Sequence, residues 1–189
     1  MQKFKRNARL RVPHPTPSND LEWMQVAQHY GLPTRLLDWT RNPSIALYFA
    51  CLRPTQDGVV YILDPLSLND TSLEDFRRIP DSADDLGLIK PYLRLDGKRN
   101  PRGVRTIGID ASWTTERIQK QDGAFTLHGS HTFRLTASQA PVLMGLPILK
   151  RFKQRLSDEL EQTKVTRSEL FPELEHLCAH LMMRAKLPK

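Results

Sequence analysis

Apolar residues follow helical spacing in some stretches of the chain and extended spacing in others. Residues 20–30 have a helix-like apolar face, with Asn19 placed as N-cap and Gly31 placed to end the helix in a left-handed conformation. A nearly continuous apolar stretch after Asn42-Pro43 predicts a buried helix with Asn42 as its N-cap. The unbroken apolar run of residues 59–63 predicts a strand that is buried on both faces.

The second half of the chain predicts further strands and helices. Residues 124–128 and 131–135 alternate between apolar and polar positions, which predicts a pair of strands with His128 and His131 exposed at the turn between them. Helical patterns cover residues 113–119, continue from Pro147, and return after Ser168. The last helix is expected to pack through an apolar face of Leu174, Leu177, Cys178 and Leu181.

This order of elements predicts an α+β fold in which a small mixed or antiparallel sheet is flanked by helices. At 189 residues the chain is long enough for one domain with a sizeable core. Residues 1–19 are expected to form a basic N-terminal helix and a proline-rich connector. Residues 145–189 are expected to form a C-terminal helical layer.

Residues 28–43 concentrate the polar chemistry of the chain. Gly31 and Pro33 interrupt this stretch, so we expect a loop between two helices, with His29 on the last turn of the first helix. The N-terminus of the following helix is a natural anion site. We therefore predict a ligand-binding site at this loop, formed by His29, Thr34, Arg35, Asp38, Trp39 and Asn42. The alternative is that Arg35 and Asp38 pair and simply lock the loop.

Charge is unevenly distributed along a chain whose formal net charge is +7. Residues 1–12 contain five bases and no acid, residues 64–85 are acidic, and residues 90–105 are again basic. Such basic stretches favour an anionic partner such as a nucleotide or a nucleic acid, and Tyr92 could stack a base there. The alternative is an ordinary solvated surface, because no recognised nucleic-acid motif accompanies the charge.

Other features limit the class of protein. The longest apolar run, residues 45–52, is too short to cross a bilayer, so no membrane partner is expected. The N-terminal residues lack the apolar segment of a secretory signal. Cys51 and Cys178 lie in apolar helical patterns and are expected to be buried thiols in a reducing cytoplasm. No Cys or His spacing suits a metal site.

Several segments together resemble the FRG domain family, which is named for a Phe/Tyr-Arg-Gly motif. The most specific is QHYGLPTRLLDWT at residues 28–40, followed by ALYFA at 46–50 and DGVVY at 57–61. The segment QDGAF at residues 121–125, with Arg117-Ile118 before it, resembles a downstream element of the family. The segment LFPEL at residues 170–174 resembles its C-terminal element. The resemblance covers most of residues 4–182.

The Phe/Tyr-Arg-Gly motif itself is absent, and the nearest basic–aromatic pairs ahead of the long motif, Phe4-Lys5 and Lys3-Phe4, lack the Arg-Gly. We therefore expect this chain to begin inside the domain, without its first strand. A sheet that lacks one strand has an unpaired edge, and such an edge favours self-association.

The resemblance also implies a function by analogy of fold. Strands that carry Tyr-Arg-Gly resemble the first element of ADP-ribosyltransferases, where the arginine holds the phosphates of NAD and a later Gln or Glu orients the nicotinamide ribose. Gln121 is the candidate for that catalytic role, with NAD as substrate and no certain cofactor. Members of the family look like parts of bacterial or phage toxin and defence systems. Without the arginine, we expect any transferase activity to be weak or absent.

Two other functions remain open at this point. The chain could be a non-catalytic basic module that binds nucleic acid or protein, in which case Lys98 and Arg99 would matter more than Gln121. It could also be a remnant in which Arg35 and Trp39 serve stability only.

Overall fold

The computed structural model describes residues 1–12, 16–73, 76–81, 84–93, 105–111, 115–129 and 142–185. The expected strand at residues 131–135, including His131, lies outside these ranges, and so do Lys98 and Arg99. The start of the helix expected over residues 113–119 also lies outside them. None of the helices in the described ranges has the length and apolar character that a membrane span requires.

The fold is α+β, as the sequence predicts, and its strands form two small sheets. The helices are α1 (Gln2–Ala8), α2 (Asp20–His29), α3 (Pro43–Cys51), α4 (Pro65–Leu73), α5 (Leu86–Ile89), α6 (Glu116–Lys120), α7 (Lys150–Gln162), α8 (Arg167–Leu170) and α9 (Leu174–Arg184). A single 3-10 turn, Lys90–Tyr92, follows α5. The strands are β1 (Leu36–Thr40), β2 (Gly58–Leu63), β3 (Ile107–Asp110), β4 (Gly123–Leu127) and β5 (Leu143–Ile148).

Strands β1, β4 and β3 form one sheet in that order, and β2 pairs with β5 in the other. In the first sheet β3 and β4 are antiparallel, with Ile107 opposite Leu127 and Ile109 opposite Phe125. The chain divides into two compact units. Unit 1 comprises residues 1–39, 63–114 and 124–143, and unit 2 comprises residues 40–62, 115–123 and 144–189.

Helix α2 begins and ends where local chemistry predicts. The Asn19 side chain accepts a hydrogen bond from the backbone N–H of Glu22 at 3.0 Å, and the Glu22 carboxylate in turn accepts from the N–H of Ser18. At the other end Gly31 has a φ of +82°, and its N–H donates to the carbonyl of Gln28. The N–H of Leu32 donates to the carbonyl of Ala27. These two bonds form a Schellman motif, which directs the chain sharply away from the helix.

The outer edge of β3 in unit 1 is closed by polar groups from helix α4. Asn69 is fully buried, accepts the backbone N–H of Gly108 at 2.7 Å and donates to the Gly108 carbonyl at 2.9 Å. Its amide also donates to the carbonyl of Arg78. The Ser72 hydroxyl donates to the carbonyl of Thr106 at 2.8 Å. Side chains thus take the place of a neighbouring strand along this edge.

In unit 2 a buried lysine ties α7 to the end of α3. Lys153 is 1 % exposed, and its ammonium donates to the carbonyl of Arg53 at 3.1 Å. A positive charge is favourable at a helix C-terminus, where carbonyl groups lack partners. Gly58 passes so close to this point that a Cβ there would lie 2.6 Å from the carbonyl oxygen of Ala50. Any larger residue at position 58 would therefore force the backbone apart.

Several elements differ from the sequence prediction. The stretch expected to be a loop contains strand β1, which pairs with β4 through residues far away in the chain. Pro147 lies within β5 rather than at a helix start, and α7 begins at Lys150. Strand β2 is not buried on both faces, since Val59, Tyr61 and Ile62 are all largely exposed. An apolar run shows what a strand could bury, but not whether a partner is present.

The helices of unit 2 are also less buried than predicted. Helix α3 is half-buried along most of its length, with only Ile45 and Cys51 in the buried class. On α9, Leu174, Leu177 and Leu181 are exposed, and so is Cys178. Both cysteines are free thiols, as expected, but only Cys51 is buried. Burial raises the pKa of the Cys51 thiol.

We expect Asn69→Leu to destabilise the fold strongly. The change leaves the N–H and carbonyl of Gly108 and the carbonyl of Arg78 without their side-chain partner, at roughly 1–3 kcal/mol for each buried group. Urea unfolding measures the loss directly. Ser72→Ala is the control, because it removes the hydroxyl bond to the Thr106 carbonyl and leaves the bonds of Asn69 in place, and it should cost about 1 kcal/mol. Equal losses for the two variants would contradict this role of Asn69.

Self-association stays a prediction, and we expect it to involve the sheet of β2 and β5. Strands β2 and β5 contain no charged residue, and within the described ranges they pair only with each other. We expect Ile62→Lys to reduce the oligomer fraction measured by light scattering over a concentration series, because a charge on an edge strand opposes pairing. Leu86→Lys, on α5, is the matched control and should change little. A wild-type chain that stays monomeric throughout the series would rule the prediction out.

Candidate functional site

The side chain of Gln28 joins two of the predicted ligand-binding residues in unit 1. Its amide nitrogen donates to the Asp38 carboxylate at 2.8 Å, and its amide oxygen accepts from the Thr34 hydroxyl. The Thr34 oxygen also accepts the backbone N–H of Leu36 at 3.1 Å. We call Gln28, Thr34 and Asp38 the Gln28 network. It fixes the path of the chain between the end of α2 and the start of β1.

Arg35 holds the far side of the same loop. Its guanidinium donates to the carbonyl of Tyr92 at 3.0 Å, and its own carbonyl accepts the N–H of His128 at 3.0 Å. The loop is therefore anchored by Arg35, but the bond goes to a backbone carbonyl rather than forming the Arg35–Asp38 pair considered from the sequence. Asp38 instead accepts from Gln28 and remains exposed to solvent.

Tyr92 is not available to stack a nucleobase, in contrast to the sequence prediction. It is 3 % exposed, and its hydroxyl donates to the carbonyl of Arg105 at 2.7 Å. Burial raises the pKa of the Tyr92 phenol to about 12. The residue is therefore a buried support, with its carbonyl bound to Arg35 and its hydroxyl bound to the chain that leads into β3.

A line of polar side chains runs from Trp39 into the buried part of unit 1. The indole N–H of Trp39 donates to the Thr126 hydroxyl at 3.0 Å. The His128 ring lies between two hydroxyls, with Nε2 3.1 Å from Thr126 and Nδ1 3.2 Å from Thr106. His128 is 7 % exposed, so the expectation that it sits at an exposed turn is wrong. It follows Thr126 by two residues, and the alternation of the strand therefore continues inward.

His29 and Tyr30 lie at the end of α2, beside the Gln28 network. His29 is the last residue of the helix, as predicted, where the helix dipole favours a positive charge. Its ring meets the Tyr30 ring edge-on, with centroids 4.9 Å apart. Tyr30 is 60 % exposed, so this corner of unit 1 presents an aromatic ring to solvent.

Asn42 and Gln121 belong to unit 2, where Thr40 links their backbones. The Thr40 hydroxyl donates to the carbonyl of Gln121 at 2.7 Å and accepts the N–H of Asn42 at 3.1 Å. Asn42 caps α3 by accepting the N–H of Ser44, and its carbonyl accepts the N–H of Ile45. Pro43 has no N–H, and the N–H groups of Ser44 and Ile45 both donate to Asn42, so the donors of this first turn are already used within the chain. The anion site expected from the helix N-terminus would have to displace this cap.

The Gln121 side chain contacts the last of the family-like elements. Its amide donates to the carbonyl of Leu170 at 3.1 Å. Next to it, the Arg117 guanidinium lies 4.5 Å from the centre of the Phe171 ring and 3.8 Å from the Glu173 carboxylate. The two downstream segments quoted from the sequence therefore contact each other. Gln121 holds this contact, and its predicted catalytic role remains a prediction.

The arrangement in unit 1 suits a polar organic ligand better than a metal ion. It presents an exposed carboxylate, an amide and a hydroxyl, all connected to one another. Within the part of the chain that the structure describes, no three His, Cys, Asp or Glu side chains come together in a way that could hold a metal.

Sequence reasoning missed the residues that support the site. Gln28 was recognised as part of the motif but not as its centre, and Thr126, His128 and Thr106 were not associated with Trp39. Thr126 is 87 residues from Trp39, and no local pattern indicates that they meet. The sequence gives one indication of these contacts. Thr126 is a polar residue in the otherwise apolar pattern of β4, and a buried hydroxyl requires a hydrogen-bond partner.

We expect the Tyr92 phenol to ionise about two pH units later than an ordinary tyrosine. Its raised pKa means that its contribution to stability is complete below about pH 10 and is lost as the pH rises to about 12. A titration followed by absorbance at 295 nm should show a late step that Tyr92→Phe removes. Tyr61→Phe, at an exposed position, should leave that step in place. A late step that survives Tyr92→Phe would contradict the assignment.

Comparison with known proteins bears on the first third of the chain. Residues 1–58 match the FRG domain family, a range that contains α1, α2, β1, α3 and the whole Gln28 network. No curated protein and no solved structure matches the chain. The resemblance of residues 121–125 and 170–174 lies beyond the matched range and rests on the motifs alone. Over residues 1–58, this chain is therefore similar to the FRG domain family.

Proposed function

We propose that the chain binds a nucleotide, NAD or a close relative, at the Gln28 network. The observation that supports this most is the exposed Asp38 carboxylate, which Gln28 holds in place beside Thr34. A ribose presents neighbouring hydroxyl groups, and a fixed carboxylate accepts hydrogen bonds from both. A site held in position before the ligand arrives also loses less entropy on binding.

The phosphates of such a ligand require a cation, and the proposal assigns this contact to Arg35. A guanidinium has five N–H donors in a fixed plane, and the bond to Tyr92 uses one of them. That bond orients the group, so that other N–H donors can meet a phosphate. His29, at the end of α2, supplies a second candidate donor.

For the reaction, the proposal follows the family resemblance to ADP-ribosyltransferases. In that chemistry the bond between nicotinamide and ribose C1′ breaks, an acceptor nucleophile bonds to C1′ and loses its proton, and nicotinamide leaves. On that resemblance Gln121 is the candidate catalytic residue, and a toxin or defence role would follow from the transfer. Because the printed residues lack the Phe/Tyr-Arg-Gly motif, we expect binding to exceed turnover in residues 1–189.

We expect NAD to raise the melting temperature of the purified chain. A ligand specific for the native state adds about 2.7 kcal/mol at one hundred times its Kd. Asp38→Asn should weaken this effect about tenfold in apparent Kd, because it removes a charge-assisted bond yet retains an acceptor for Gln28. Asp158→Asn, at an exposed position on α7, removes the same charge and should leave the shift unchanged.

Arg35→Ala is less informative, since losing the bond to Tyr92 would lower stability with or without ligand. If NAD produces no shift in a cooperatively folding sample, the proposal is wrong. If both aspartate variants reduce the shift equally, the effect is one of net charge and not of this site.

A second candidate function is a basic nucleic-acid- or protein-binding module. The observation in its favour is that Lys3, Arg6, Arg9 and Arg11 lie in or just after α1, in a segment that contains no acid. Nucleic-acid binding would weaken steeply as salt rises, because each phosphate contact releases counterions. It would not depend on Asp38.

A further inference from the structure

An open cavity lies beside helix α1 in unit 1, apart from the Gln28 network. Its volume is about 310 Å³, and it is lined by Phe4, Asn7, Ala8, Arg11, Val12 and Tyr30. This is at the lower end of the size range of ligand pockets and about twice the volume of a cavity that holds benzene. It therefore has room for one large apolar side chain.

The floor of the cavity is part of a packed core, so its shape is fixed. Phe4 packs edge-on against Trp23 at 6.1 Å, and Ala8 and Val12 belong to the same buried cluster as Trp23 and Val26. After α1 the backbone N–H groups of Arg11 and Val12 both donate to the carbonyl of Ala8. These bonds place Arg11 at the mouth of an apolar cavity.

Five of the six residues that line this cavity belong to the basic segment 1–12, and Arg11 is the cation among them. Lys3, Arg6 and Arg9 are exposed in or next to α1, and no acidic residue occurs in residues 1–12. Leu10 is 99 % exposed and Tyr30 is 60 % exposed. Arginine and aromatic residues around an apolar centre are typical of protein interfaces.

We propose that this surface binds an acidic protein segment that inserts one large apolar side chain into the cavity. The carboxylates of the segment would pair with Arg11 and its neighbouring cations, and Leu10 would extend the apolar contact. A nucleic acid would satisfy the charges through its phosphates, but one of its bases could fill the cavity only after leaving the base stack, whereas an apolar side chain has no such cost. The cavity is the reason to favour a protein partner.

The proposal is independent of nucleotide binding, because it uses none of the Gln28 network. Its test compares two labelled peptides of about twelve residues, rich in Glu, that differ only in a central Phe or Ala. Binding to the full chain is followed by fluorescence anisotropy. We expect the Phe peptide to bind about tenfold more tightly or better, which is the effect of burying one aromatic side chain.

Three variants show what the cavity and the charge of Arg11 each contribute to peptide binding. Asn7→Trp narrows the mouth of the cavity without a change in charge and should abolish the advantage of Phe over Ala. Arg11→Gln should weaken both peptides by a similar factor. Arg155→Gln removes the same charge from the exposed surface of α7 and should have no effect. Melting curves of all three show whether each variant is folded.

Equal affinity of the two peptides for the wild-type chain would overturn the proposal, as would the absence of binding to either. A single-stranded oligonucleotide serves as the rival probe. If it binds more tightly than both peptides and Asn7→Trp leaves its affinity unchanged, the basic segment is a nucleic-acid surface and the cavity has no part in it.

Discussion

The hydrogen bonds between Asn69 and Gly108 are the constraint on which unit 1 depends. Among the strands that the structure describes, β3 pairs with β4 alone, and its other side would expose backbone groups that require partners. One amide side chain supplies both an acceptor and donors there, and it is completely buried while doing so. Helix α4, β3 and, through β4, the strand that carries the motif are thereby held in one arrangement.

The polar residues of the loop therefore make contacts that are mostly internal. Arg35 binds a backbone carbonyl, and Trp39 binds a buried hydroxyl. Asp38 is different, because its carboxylate is fixed by Gln28 yet faces solvent. The motif thus combines residues that hold the loop together with one residue, Asp38, whose side chain is exposed to solvent. A variant of Arg35 or Trp39 is expected to change stability, whereas a variant of Asp38 is expected to change ligand binding.

Local signals in the sequence predicted local structure well. Asn19, Gly31 and Asn42 were identified as helix ends because capping depends on neighbours within four residues. The similarity of residues 1–58 to the FRG domain family was likewise evident from a contiguous motif. The α+β class followed from the alternation of such patterns.

The remaining differences arise from long-range pairing. Strand β1 was interpreted as a loop because its partner, β4, is more than eighty residues away in the chain. Pro147 was interpreted as a helix start because proline suits both that position and an edge strand. The hydrogen bonds that connect Trp39 with Thr126 and His128 could not be predicted for the same reason. These residues lie far apart in the chain, and no rule of sequence spacing relates them.

The buried lysine of unit 2 has a consequence for the synthesis of the chain on the ribosome. Lys153 completes the end of α3 by binding the carbonyl of Arg53, which precedes it by 100 residues. At a translation rate of about 5–20 residues per second, roughly 5–20 seconds pass between the two residues. During that interval the nascent chain carries the apolar residues of α3 without the helix that packs against them, so this part of unit 2 can form only late in synthesis.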